Sequence, residues 1–215
     1  MKLGNVMIFG DSYSTFVGCI PAGYAVYYSG HRDRGPDINS KDESWWGITV
    51  NKTGATLVRN DSWSGSTVGY TGYNGSDNSK SSSFIYRLEK LAAEGFFEEN
   101  EIDTVFVFGG TNDSWSDAPL GEYTEQISEK KELYNVLPAI SYFFTALRRI
   151  LPDADIYGIC NCDIKKEIVE ATEKVCERIG AKAIVLNGIN KLNGHPTPLG
   201  MEQIAEQVMA GISDR

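Results

Sequence analysis

Along the chain, short runs of apolar residues alternate with stretches whose apolar positions recur at helical spacing. Residues 2–9 (KLGNVMIF) form the first run, which ends at Gly10-Asp11-Ser12 and predicts a buried strand meeting a turn. Further strands are predicted at 55–59, 103–108 (DTVFVF), 154–160 and 181–186. Helices are predicted at 43–51 (ESWWGITVN), at 84–92, across 121–150 with an interruption near Pro138, at 163–179 and at 199–212. Residues 81–83, all serine, are candidate caps for the second helix, and Gly180 is a fitting stop for the fourth. Residues 18–44, rich in Gly, Tyr, Asp and Arg, and residues 60–83, dense in Ser, Gly, Asn and Asp, read as long loops.

Strands that alternate with helices from end to end predict an α/β fold with a mainly parallel five-stranded sheet. Right-handed crossovers place helices on both faces, giving a three-layer α/β/α, flavodoxin-like arrangement in one domain over residues 1–215. Ligands in such sheets bind beyond the carboxyl ends of the strands. The loops that follow the strands are therefore where chemistry is expected.

Charge narrows the partners. The formal net charge is −9 and the sequence pI about 4.8. An acidic chain repels phosphate backbones and anionic membranes, so neither nucleic acid nor membrane is an expected partner. No apolar run approaches the ~20 residues of a membrane span, and the N-terminus lacks the features of a signal peptide, so a cytoplasmic protein is expected. Of the four cysteines only Cys160 and Cys162 are close, and they make no metal set with His31 or His195. Free thiols, no metal and no cofactor are expected; the oligomeric state is not legible.

The predicted post-strand loops hold GDSYS (residues 10–14), NDSWSGS (60–66), GGTND (109–113) and, before the last helix, GHPT (194–197). In this the sequence resembles the GDSL-type, or SGNH, hydrolases, which are named for four residues in four such blocks. Ser12, Gly65, Asn112 and His195 match those residues in order, over nearly the whole chain, residues 5–210. The resemblance implies Ser12 as nucleophile and His195 as general base. It also implies an oxyanion hole from the backbone N–H groups of Ser12 and Gly65 and the side chain of Asn112. Asp11 and Asp113 are then supports of their loops.

The chemistry stands beside the resemblance. A serine hydroxyl needs a base to become a nucleophile, and imidazole titrates near neutrality. The chain has two histidines, so the base is His31 or His195. His31 lies in SGHRDRG, a loop that reads as exposed, whereas His195 lies on the expected ligand side. A glycine at 65 lets backbone approach substrate closely. As turn or cap residues, Ser12, Gly65 and Asn112 would have no such part to play.

One position departs from the family. An aspartate usually stands three residues before the histidine, and here that residue is Leu192. The acid normally fixes the imidazole tautomer and stabilises the imidazolium. A backbone carbonyl, Asn190 or Asn193 is expected to orient His195 instead, making a Ser–His dyad with a neutral acceptor. A weakened or inactive carbohydrate-binding relative is the alternative. Tyr13, Trp45, Trp46, Trp63 and Trp115 either line the pocket or belong to walls and core. A small-molecule or carbohydrate ester, with a short acyl group such as O-acetyl, is the expected substrate. Nucleotide binding is disfavoured, because GDSYS lacks the glycine spacing and lysine of a phosphate cradle.

Overall fold

The computed structural model describes residues 3–31 and 35–213; Lys2 of the first predicted strand and residues 32–34 of the long loop lie outside them. Five strands, β1 (Asn5–Gly10), β2 (Thr56–Ser62), β3 (Thr104–Phe108), β4 (Asp155–Cys160) and β5 (Lys182–Val185), form one sheet in the order β2-β1-β3-β4-β5. Every neighbouring pair is parallel. The strands carry Val, Ile and Phe because both faces are covered. Successive side chains point to opposite faces, so Met7, Phe9, Val105 and Val107 enter one core. Val6, Ile8, Phe106 and Phe108 enter the other.

Helices α1 (Trp45–Thr53) and α7 (Pro198–Ser213) cover the second of those faces through Trp45, Trp46, Met201, Ile204 and Val208. Helices α2 (Phe84–Ala93), α5 (Val136–Ile150) and α6 (Lys166–Arg178) cover the first through Leu88, Phe143 and Val175. The result is the three-layer α/β/α arrangement. Two short helices, α3 (Phe96–Glu99) and α4 (Thr111–Trp115), complete the set among the described residues. Ser83 caps α2 by accepting from the Tyr86 N–H at 3.2 Å, and Gly180 follows α6 with φ +67°.

The structure corrects four readings. Residues 121–135 are not helical; they are irregular and end in a short 3-10 turn, Lys130–Tyr134. The segment is dense in Glu and Lys, and only scattered residues such as Tyr123, Ile127 and Leu133 reach the core. Pro138 does not interrupt α5 but is its third residue, where a backbone N–H has no intrahelical partner to lose. The stretch Asn60 to Ser62, predicted as loop, extends β2, and Thr111–Trp115 is helical rather than loop.

The order of the strands reverses at β1, whose neighbours are β2 and β3. A crevice opens beyond the carboxyl ends of strands at such a point. Gly10, at the end of β1, has no room for a side chain, since a Cβ there would lie 2.4 Å from the Ser62 hydroxyl. That close approach of β1 to β2 sets the floor of the crevice.

Candidate active site

The first residue after β1 is Asp11, whose Oδ1 accepts from the Tyr13 N–H at 3.0 Å and caps the 3-10 turn Ser12–Ser14. The turn is pinned from below. Ser14 accepts from the indole N–H groups of Trp45 (3.1 Å) and Trp46 (2.9 Å) and from Asn60 Nδ2 (2.8 Å). Tyr13, Trp45 and Trp46 are therefore buried anchors and not pocket walls. Of the five aromatic candidates, Trp63 is half-buried and packs at 4.1 Å on Tyr24, while Trp115 is 39% exposed.

Ser12 Oγ lies 3.0 Å from His195 Nε2, across 183 residues of sequence. His195 sits on a hairpin of β6 (Lys191–Leu192) and β7 (His195–Pro196), joined by Asn193 and Gly194, which have φ +50° and +80°. An Asn-Gly pair between two strands is the signature of a type I′ turn, a signal of this hairpin that the sequence reading passed over. The tight turn brings the Asn193 carbonyl to 3.3 Å from His195 Nδ1. Leu192 is 51% exposed and offers no acceptor. Asn190 is engaged elsewhere: its carbonyl accepts from the Thr197 N–H at 3.1 Å at the start of α7. The imidazole plane is set by Tyr27, stacked on it at 3.7 Å and 6°, with the Trp115 ring edge-on at 5.9 Å. His31 is exposed.

The hairpin is also held from its backbone. The Tyr13 hydroxyl donates to the Gly194 carbonyl and accepts from Asn161 Nδ2 at 3.1 Å. Lys191 Nζ donates to Asn161 Oδ1 at 2.8 Å and to the Cys162 carbonyl at 3.2 Å. Sequence reading missed Asn161 and Lys191, although Asn161 follows β4 where polar residues are expected.

Asn112 is the second residue of α4 and 3% exposed. Its Nδ2 donates to the Ser66 carbonyl at 2.9 Å, and its Oδ1 accepts from the Tyr73 hydroxyl at 2.8 Å. Gly65, beside Ser66, has φ +81°, a conformation that favours glycine, and a Cβ there would face open space. The Trp63 N–H donates to the Gly10 carbonyl at 3.1 Å, so the loops after β1, β2 and β3 meet around Ser12. Asp113 ties α4 to the β2 loop, accepting from the N–H groups of Val68 (2.9 Å) and Gly69 (3.2 Å).

Buried charge underlies these loops. Burial pushes the Asp11 carboxyl up to about 7, against the Tyr13 N–H. Its Oδ2 has no well-formed partner, the Thr111 hydroxyl offering only a partial one. Burial likewise pushes Asp113 up to about 6, against its backbone donors. Arg87, fully buried, is pushed down by desolvation and held by Asp61 at 3.0 Å; it also donates to the Gly10 carbonyl and the Ser66 hydroxyl, both at 3.3 Å. Among the described residues no group of His, Cys, Asp and Glu could hold a metal, and no helix is long and apolar enough to cross a membrane.

The family model described as GDSL-like lipase/acylhydrolase matches residues 4–212. A candidate GDSL-like lipase of Bacteroides ovatus is 34% identical, with a TM-score of 0.91, each chain covered in full. A second, from Bacteroides uniformis, is 38% identical, with a TM-score of 0.89, over 99% of this chain and 96% of that one. An acetyl xylan esterase of Butyrivibrio proteoclasticus shares the fold at 19% identity and a TM-score of 0.61, over 98% of this chain and 63% of its own. No curated protein matches. The chain belongs to the GDSL-like lipase/acylhydrolase family and is a carboxylic ester hydrolase.

Proposed function

We propose that the protein hydrolyses short-chain acyl esters through an acyl-enzyme on Ser12. The observation that carries this reading is the 3.0 Å contact between Ser12 Oγ and His195 Nε2. Attack of Oγ on the ester carbonyl carbon passes the hydroxyl proton to Nε2. The carbonyl oxygen becomes an oxyanion, met by the N–H groups of Ser12 and Gly65 and by Asn112 Nδ2. Collapse breaks the bond to the leaving oxygen, which takes the proton from His195. Water then repeats the sequence on the acyl-enzyme, and the carboxylic acid departs.

A short acyl group suits the access. Ser12 and Asn112 are each only 3% exposed, and Tyr27, Tyr73 and Trp115 stand around the entrance. Exposed aromatic rings also suit a sugar face, so an O-acetyl carbohydrate is the favoured natural substrate. Asn193 orients the histidine through its backbone carbonyl, in place of the side-chain carboxylate that Leu192 does not supply.

Leu192 favours a second reading, a relative that binds carbohydrate esters without cleaving them. Hydrolysis of p-nitrophenyl acetate at pH 8 separates the two. Wild type is expected to turn over, with Ser12→Ala and His195→Ala each at least a thousandfold slower, and acetate preferred to butyrate. Wild type no faster than either variant, together with no reaction of Ser12 with a fluorophosphonate, would establish the binding reading.

A further inference from the structure

We infer that Tyr73 is a positioning residue for the oxyanion donor, an inference that rests on the esterase reading of Asn112. Asn112 offers two N–H donors and one carbonyl acceptor. The Ser66 backbone carbonyl can only accept, so the group facing it at 2.9 Å is Nδ2. The other end is then Oδ1, and the Tyr73 hydroxyl, 2.8 Å away, must donate to it. One N–H of Nδ2 remains, fixed in direction by both partners. Without Tyr73 the amide keeps one tether, and its plane is free to swing about that single contact, so the remaining N–H is no longer held toward the substrate oxygen.

Donation to Oδ1 has a second effect. It draws electron density from the amide nitrogen and makes the remaining N–H a stronger donor, the polarisation that links hydrogen bonds in a chain. The demand for that donor is largest when the carbonyl oxygen bears full negative charge, so the benefit falls on the transition state rather than on substrate binding.

Tyr73 is delivered by a built loop. The loop is closed by the pairing of Thr71 with Asp77 and by the Gly72 N–H on the Ser76 carbonyl at 2.8 Å. The Thr71 hydroxyl anchors it to the Tyr134 carbonyl at 2.7 Å. The ring is 40% exposed, so removing its hydroxyl opens no core cavity and leaves a single acceptor, Asn112 Oδ1, without its partner. Tyr73→Phe is therefore expected to fold as wild type does.

The test is the rate of Ser12 phosphonylation by a fluorophosphonate, which forms the serine–phosphorus bond, expels fluoride and develops charge on the same oxygen site. Wild type, Tyr73→Phe, Asn112→Ala and the double variant are compared, with the limiting rate separated from the half-saturating concentration. Tyr73→Phe is expected to lower the limiting rate about five-fold, the worth of one ordinary hydrogen bond, and to leave the half-saturating concentration within about two-fold. In the Asn112→Ala background the same change is expected to do nothing, because the two act as one unit. Equal losses in both backgrounds, or a loss confined to half-saturation, would overturn the assignment of Tyr73. An Asn112→Ala variant as fast as wild type, or a wild type that does not react, would instead overturn the esterase reading beneath it.

Discussion

At the scale of single residues, the question is what replaces the carboxylate at position 192. Leu192 and His195 are directly paired across the hairpin. Side chains opposite one another in an antiparallel pair lie on the same face, with Cβ atoms about 5 Å apart. A carboxylate placed there would sit beside the imidazole at no cost in burial, since Leu192 is exposed. Leu192→Asp is expected to favour imidazolium, moving the acid limb of the kcat/KM profile for p-nitrophenyl acetate to higher pH by about half a unit. Above that limb, kcat should rise several-fold, because the charge now stabilises the proton held in the transition state. A profile and a kcat identical to wild type would show that the Asn193 carbonyl and the packing of Tyr27 already supply the orientation. Ser12, Gly65 and Asn112 were legible because their blocks close the apolar strands β1, β2 and β3, and His195 because the chain has only two histidines. Tyr73 was not, because a tyrosine in a Ser/Gly/Asn-rich loop carries no periodicity, and its partner is 39 positions away.

Among elements, α2 shows what the apolar pattern conceals. Phe84, Leu88 and Leu91 mark its core face, and Arg87 lies on that same face, fully buried. A cation on an apolar helix stripe is the one sequence signal that a buried acceptor waits opposite it. The guanidinium joins α2 to the ends of β1 and β2 through the Asp61 carboxylate and the Gly10 carbonyl. Removing one partner of a buried pair leaves the other uncompensated, at a cost of about 3 kcal/mol. Arg87→Met is expected to lower the urea midpoint by that measure, less whatever Arg59 recovers through its own contact with Asp61 at 2.9 Å. Arg59→Met, at a side chain 27% exposed, should cost under about 1 kcal/mol. Equal losses from the two variants would contradict this division. β1, β3 and β4 were legible because each is a nearly continuous apolar run, whereas the polar end of β2, residues 59–62, hides a strand that both neighbouring loops bury. The 121–135 segment reads as helix because Tyr123 and Ile127 stand four apart, and Leu133 and Leu137 likewise, while Tyr123, Ile127 and Leu133 fasten an irregular strap to the core.

Over the whole molecule, the carboxyls beneath the site set how stability follows pH. Asp11 is raised to about 7 and Asp113 to about 6, in each case by burial first. Unfolded aspartate titrates near 4, so between about pH 4 and 7 the folded chain holds more protons than the unfolded one. Their contribution to stability is thus complete below about pH 4 and is lost as pH rises through 6 and 7. The net charge of −9 adds self-repulsion in the same direction. The thermal midpoint is therefore expected to be higher at pH 5 than at pH 8. Asp11→Asn should remove much of that difference, standing above wild type at pH 8 and converging with it toward pH 4. A wild type equally stable at both values, with Asp11→Asn never above it, would show that Asp11 is solvated in the folded chain. The proposed chemistry pulls the other way, because in it His195 must be neutral to accept the Ser12 proton. The turn that carries Ser12 is thus built over a carboxyl that is most comfortable protonated, and on the proposed mechanism the pH at which the protein works best should lie above the pH at which it is most stable.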